Sequence, residues 1–301
     1  LKMEQMNIFD YIRKPYKIPG HIRLIELFGG IGAQAKALEN LHADFEHWRL
    51  VEFDAAAVRS YNAIHGTNFE TSDITKIHAD DLQIVNTYIH TYIMCYSFPC
   101  QSLSVAGKMH GMKRGSGTRS GLLWEVERIL KECKELPQIL LMENVIQVHS
   151  EQNMPDFQEW ISFLESLGYS NYWQDMNAQD YGMPQHRKRT IMISILGEYN
   201  FKFPKPVPLK TDALEFLETE TDDRYYLSGE RAEQLLVMAE KKSIIDRQTD
   251  RQTDRQMLLD GYIENPKPIQ VANCITTRQR GCQTRQAAEN IVCKRIPRTS
   301  D

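Results

Sequence analysis

An α/β fold with a doubly wound, mostly parallel sheet is what this sequence predicts, on three observations. Short runs of branched apolar residues recur between residues 21 and 200, and stretches of helix formers separate them. The first run ends in Phe28-Gly29-Gly30-Ile31-Gly32, a glycine cluster that can turn a strand sharply into a helix. A hydrophobic content of 42% and a charged content of 25% are those of an ordinary globular chain, and no apolar run reaches the roughly 20 residues of a spanning helix.

In chain order, IRLIELF at 22–28 reads as a buried strand and GAQAKALEN at 32–40 as the helix after it. A second strand ends near Val51–Phe53 and a helix follows over 55–64. The alternation continues with a strand at 91–97, a helix at 121–134, a strand at 138–143, a helix at 156–167 and a strand at 190–196. Strands separated in this way form a parallel sheet covered on both faces. Residues 1–20 read as an extension without the basic-then-apolar order of a signal peptide, which predicts a cytoplasmic protein without a membrane partner. Prolines at 204, 206 and 208 then mark the change to a smaller, irregular region over 201–301.

That region contains DRQTDRQTDRQ at 246–256. A repeated tetrapeptide reads first as a solvated helix or loop. It also has the form expected of a tandem GACA tetranucleotide, since GAC-AGA-CAG-ACA encodes Asp-Arg-Gln-Thr. Gain or loss of one unit would then shift the frame, a hypothesis that mixed synonymous codons in the coding DNA would sink.

The six cysteines (95, 100, 133, 274, 282 and 293) form no CxxC pair and no zinc spacing with histidine, so no metal is expected from them. A net charge of −4 leaves any nucleic-acid surface to local basic patches.

The glycine cluster opens a helix N-terminus, where free amides and absent side chains suit an anionic or nucleotide-like ligand, although a simple tight turn explains it equally well. Glu52 ends the next strand about 20 residues on, where a carboxylate can hold ribose hydroxyls. Asp73-Ile74 follows from the third crossover as a contact for an adenine ring. These features fit an adenosine-containing cofactor without separating a nicotinamide dinucleotide from S-adenosylmethionine.

Three further groups carry chemistry. Ser97-Phe98-Pro99-Cys100-Gln101 sets a cysteine at the carboxyl end of a strand, the edge where open α/β sheets keep their sites. An isolated cysteine is more often a small buried hydrophobe, the reading given to Cys95. Met142-Glu143-Asn144-Val145 brings a carboxylate to the same edge, and Gln185-His186-Arg187-Lys188-Arg189 precedes the strand TIMISIL. Alone, these would be a capping glutamate and a solvated basic cluster, with His186 a bystander.

Together, Phe28-Gly29-Gly30-Ile31-Gly32, Pro99-Cys100-Gln101, Glu143-Asn144-Val145 and Gln185-x-Arg187-x-Arg189 resemble, in order, the motifs of the cytosine-C5 DNA methyltransferase family, as its bacterial and phage restriction–modification members carry them. The resemblance is strong over 21–200, which it implies is a catalytic domain binding S-adenosyl-L-methionine, and weak over 201–301, a partial target-recognition region. It implies Cys100 as the nucleophile at cytosine C6, Glu143 at N3, and Arg189 with Arg187 at O2. It assigns the methyl donor to Phe28, Gly29, Gly30, Ile31, Gly32, Glu52, Phe53, Asp73, Ile74, Pro99 and Leu123. The target base must be flipped out of duplex DNA to be reached. The glycine- and base-rich stretch 104–120 resembles a loop that closes over the DNA, with Gln101, Ser104, Gly107, Lys108, Lys113, Arg114 and Arg119 as contacts.

The family's closing helix carries a Gly-Asn-Ser-type motif, which is not found here; Cys274-Ile275-Thr276-Thr277-Arg278 resembles the strand that leads towards it. The expectation is therefore a truncated product, an unusual tail, or a second polypeptide that supplies the missing motif. A monomer, with or without a cognate restriction endonuclease, is the expected state. The competing functions are a catalytically silent DNA-binding remnant of the family and an RNA cytosine-5 methyltransferase.

Overall fold

A computed structural model of the chain describes residues 13–100, 103, 111–216 and 272–273. The 246–256 repeat and the Cys274–Arg278 segment lie outside the described residues, as do Gln101, Ser104, Gly107 and Lys108.

The described residues fall into two compact units, one over 13–176 and 188–204, the other over 177–187, 205–216 and 272–273. The first begins with strand β1 (Ile22–Leu27), helix α1 (Ala33–Asn40), strand β2 (Phe45–Val51) and helix α2 (Ala55–His65). A four-residue helix α3 (Ala79–Leu82) precedes strand β3 (Thr91–Tyr96), helix α4 (Leu123–Glu132) and strand β4 (Ile139–Asn144). Helix α5 (Met154–Ser166) is followed by strand β5 (Tyr169–Asn177) and, after the two-residue strand β6 (Gln185–His186), by strand β7 (Lys188–Leu196). The sheet order is β2-β1-β3-β4-β7-β5. Strands β2, β1, β3 and β4 are parallel, and β7 runs antiparallel to β4. The predicted fold class holds.

Alternation along the central strands explains why helices cover both faces. In β3 all six residues are buried. Ile93 and Cys95 face Leu24, Ala35, Val58 and Tyr61, the side covered by α1 and α2. Tyr92, Met94 and Tyr96 face the larger core formed with Leu123, Val126 and Ile129 of α4 and Phe157, Trp160 and Leu164 of α5. A strand with no solvent face needs apolar residues at both phases of its pleat, which TYIMCY supplies. Cys95 is 3% exposed, and burial pushes its thiol pKa well up. It is the packing cysteine that its alternation predicts.

Two features depart from the sequence reading. The strand β5 is not anticipated, because YSNYWQDMN is polar and sits at the end of the sheet order, where one side has no partner strand among the described residues. The last sheet strand, β7, is antiparallel rather than another member of the parallel set. That direction brings the start of β7 to the carboxyl edge of the parallel strands. Asn144 pairs with Thr190 and Glu143 with Ile191, so Arg189 arrives beside the end of β4.

In the second unit, β6 pairs in parallel with strand β8 (Ala272–Asn273). There Asn177 Oδ1 accepts the Arg187 amide at 2.9 Å, and Arg187 O accepts from the Ala178 amide at 3.0 Å. Among the described residues, no helix is long and apolar enough to cross a membrane.

Candidate active site

The register of the parallel strands decides what meets at their carboxyl edge. Leu27 lies opposite Tyr96, and Tyr96 opposite Met142. The glycine turn after β1, the cysteine segment after β3 and the Glu143-Asn144 pair ending β4 are therefore neighbours.

The glycine turn is compact. Phe28 adopts φ 57°, a left-handed conformation rare for a bulky residue, and its amide bonds Val51 O at 2.7 Å. Gly32 N closes the turn on Gly29 O at 2.9 Å. Glu52 ties the turn to β2: one oxygen accepts from the Gly30 amide at 2.9 Å and the other from Asp54 N at 2.8 Å. Beside it Phe53 is 79% exposed. Asp73 caps the short turn Ile74–Lys76 by accepting from both the amide and the hydroxyl of Thr75, and these two bonds hold its carboxyl below the usual range.

The three glycines have different reasons to be glycine. A Cβ on Gly29 would lie 2.4 Å from Leu50, and one on Gly32 would lie 2.3 Å from His65. Both are packing glycines. A Cβ on Gly30 would meet nothing within 4 Å, so this residue alone of the three leaves open space above the backbone. All three keep the backbone approach expected of the turn, and at Gly30 the space above it is open as well. Ile74 and Leu123, also expected at the donor, have their side chains in the core at 5% and 0% exposure, which leaves their backbones to face a ligand.

The segment carrying Cys100 is fastened at each step. Gln34 of α1 donates to Ser97 Oγ at 3.2 Å, Asn144 Nδ2 to Phe98 O at 3.0 Å and Ser120 Oγ to Pro99 O at 2.7 Å. Leu103 N bonds Cys100 O at 2.9 Å. Cys100 itself is a half-buried free thiol. Asn144, 2% exposed, also accepts the Val145 amide at 2.8 Å, so one buried amide links the end of β4 to the segment before the thiol. Sequence reading named Asn144 but gave it no role. Asn144→Ala is expected to strand the Phe98 carbonyl, costing about 1–3 kcal/mol of stability. Equal urea midpoints for the two proteins would contradict this.

Glu143 and Arg189 form an ion pair, Nε to Oε1 at 3.0 Å, with both side chains about one-fifth exposed. Arg189 also donates to Lys188 O at 2.8 Å. Thr190, at 0% exposure, bonds Asp175, which His149 approaches at 2.9 Å, so β7 is braced directly behind the pair. Arg187, expected beside Arg189, belongs to the second unit.

Of the basic residues expected to meet phosphates, Lys113 and Arg119 lie exposed on the segment before α4. Arg114 has a different engagement. Its guanidinium bonds Glu127 of α4 at 2.5 Å and Glu159 of α5 at 2.8 Å, and lies 4.0 Å from the Trp124 ring centroid. Two carboxylates already meet its charge, so it anchors the segment rather than presenting a bare cation. Burial alone would raise the Glu127 carboxyl, but Arg114 and Lys131 outweigh burial and leave it below its ordinary 4.5. Its folded value being the lower, this stabilisation is complete above pH 4.5 and fades as the pH falls below that. Glu127→Gln is expected to cost about 2 kcal/mol at neutral pH and to flatten the acid limb of the stability curve. Urea midpoints between pH 3 and 7 check it, and parallel curves would contradict it.

Comparison with known proteins agrees with this geometry. A family model described as C-5 cytosine-specific DNA methylase matches residues 22–295. The orphan methyltransferase M.SssI of Spiroplasma monobiae is 36% identical over 232 residues, covering 59% of this chain and 60% of its own length. The type II methyltransferase M2.ScrFI of Lactococcus lactis subsp. cremoris is 32% identical over 256 residues, covering 69% of this chain and 71% of its own. Among solved structures, the Entamoeba histolytica methyltransferase EhMeth superposes with a TM-score of 0.56 at 18% identity, over 74% of this chain and 66% of that one. The chain belongs to the C-5 cytosine-specific DNA methylase family.

Proposed function

We propose that the chain is a DNA cytosine-C5 methyltransferase, using S-adenosyl-L-methionine and attacking a flipped cytosine with Cys100. The observation that supports it best is the meeting of the glycine turn, the Pro99-Cys100 segment and the Glu143–Arg189 pair at one sheet edge. In this reading residues 21–200 are the catalytic domain and 201–301 contribute target recognition, with duplex DNA as substrate.

The methyl donor fits the residues present. Gly30 offers an open approach to the backbone, Glu52 a carboxylate at the end of β2, and Phe53 an exposed aromatic face. When bound, the donor supplies an electrophilic sulfonium methyl group. Cys100 deals with the other difficulty, that cytosine C5 is a poor nucleophile. Its sulfur adds to C6 as a thiolate, and the displaced π electrons make C5 enamine-like while charge gathers towards N3 and O2. Glu143 meets N3 and shares a proton there, and Arg189 neutralises charge at O2. After C5 has taken the methyl group, loss of its proton and expulsion of the thiolate restore the ring.

Transfer of a tritiated methyl group from S-adenosylmethionine to duplex DNA by the purified, folded chain is the test. Label at cytosine C5 supports the proposal. Label on RNA alone would favour an RNA methyltransferase, and DNA binding without transfer would favour a silent member of the family. Bisulfite sequencing of DNA from cells expressing the chain reads the target sequence as well.

A further inference from the structure

Behind the glycine turn, on the face of the sheet covered by α1 and α2, Glu39, His47 and His65 bring one ligand atom each within 4.8 Å of one another. They come from the end of α1, the middle of β2 and the last residue of α2. No linear spacing announces such a group, because its members belong to three elements.

The hydrogen bonds around the cluster define which ring nitrogen of each histidine faces inward. Tyr61 donates its hydroxyl proton to Glu26 Oε2 at 2.6 Å, and both residues are buried to 1% exposure. The Tyr61 oxygen is therefore the acceptor for His47 Nδ1–H at 2.8 Å, which leaves His47 Nε2 with its lone pair towards Glu39 Oε1, 3.9 Å away. On the other side, His65 Nε2 lies 3.1 Å from the Ile31 carbonyl, which can only accept, so Nε2 carries the proton and Nδ1 faces Glu39 Oε1 at 2.6 Å. Lys36 occupies the second Glu39 oxygen at 2.8 Å and leaves Oε1 to the histidines. Each imidazole thus uses its outer nitrogen as a donor to a fixed oxygen while its inner nitrogen converges on one carboxylate oxygen. Outer partners of this kind orient histidines that bind metal.

We infer that Glu39, His47 and His65 form a binding site for a divalent transition ion of the zinc type, which would pin α1, β2 and α2 together behind the glycine turn. Two imidazoles and a carboxylate suit zinc and cobalt rather than calcium or magnesium, which prefer all-oxygen shells. Ligand atoms about 3.3 Å apart would satisfy bonds near 2 Å in a tetrahedral shell, and the 2.6 and 3.9 Å separations bracket that spacing. The ion would replace the proton that otherwise bridges His65 Nδ1 and Glu39. Through His65 it would also hold the Ile31 carbonyl, and so the turn itself. The inference stands independently of the methyl-transfer proposal.

The test uses the untagged full chain, stripped of metal with a chelator and titrated with cobalt(II). One equivalent is expected to bind with visible d–d absorption, zinc to displace it, and zinc to raise the melting temperature. Glu39→Gln and His47→Gln, with folding checked by circular dichroism, are expected to weaken cobalt binding at least roughly 100-fold. Absence of stoichiometric binding, or unchanged binding in the folded variants, would overturn the site. If either variant fails to fold, X-ray absorption on the cobalt-loaded wild type decides: scattering from two imidazoles supports the site, and an oxygen-only shell overturns it.

Discussion

Cys100→Ala is expected to remove methyl transfer, by roughly 10⁴-fold or more, while leaving the melting temperature within a few degrees of the parent. The separation follows from what holds the segment. Its position is set by backbone acceptors: Phe98 O taken by Asn144, Pro99 O by Ser120, and Cys100 O by the Leu103 amide. None of these involves the sulfur. Removing one half-buried sulfur atom therefore costs little packing and all of the covalent chemistry. Cys100→Ser preserves the shape and is expected to be nearly as inactive, because a hydroxyl is a far weaker nucleophile than a thiolate. Cys95→Ala supplies the opposite control. Its thiol is 3% exposed and lies against the α1 and α2 face, so truncation should cost about 1 kcal/mol in packing and leave turnover close to the parent's. Initial rates with labelled donor, beside thermal unfolding of all four proteins, check the set. A folded Cys100→Ala chain that keeps a few per cent of the rate would refute the nucleophile.

Much of the first unit was legible because its signals are local. The apolar phases of IRLIEL and TYIMCY, the glycines after β1 and the acid at the end of β2 each depend on a few adjacent residues. What sequence reading missed is non-local. The direction of β7 depends on its pairing with β4, and nothing within KRTIMISIL distinguishes parallel from antiparallel. Strand β5 carries residues at every level of burial, with exposed Trp173, Gln174 and Asp175, and so lacks a clean period of two. The anchoring of Arg114 depends on Glu127, Glu159 and Trp124, which lie 10 or more positions away in sequence. The same limit applied within the candidate site. Glu143 and Arg189 were named separately from their motifs, but the 3.0 Å pair between them exists only because antiparallel register sets the two strand ends side by side. Leu123 and Ile74 were named from motif position and then found with their side chains inside the core, since a motif records which residue is present and not which of its atoms faces the ligand.

The glycine turn gives the sharpest separation of stability from ligand binding. Gly32→Ala is expected to destabilise the chain by on the order of 3 kcal/mol. The residue sits at φ +82°, where an L side chain costs about 1–2 kcal/mol, and its new methyl would stand 2.3 Å from His65 Nε2 and 2.7 Å from Tyr61 Cε2. Neither neighbour can easily retreat. His65 is held by Glu39 and the Ile31 carbonyl, and Tyr61 by Glu26 and His47, so the overlap adds about 1–3 kcal/mol of overpacking. Gly30→Ala shares the left-handed conformation at φ +57° but meets nothing within 4 Å, so only the conformational cost of about 1–2 kcal/mol applies. Its methyl would instead fill the open approach to the turn and is expected to weaken methyl-donor binding at least about 10-fold. Urea unfolding and donor titration by calorimetry measure the two effects on the same samples. Equal destabilisation by both variants, with donor affinity unchanged in Gly30→Ala, would mean that the turn is a packing device throughout and that the donor lies elsewhere on the sheet edge.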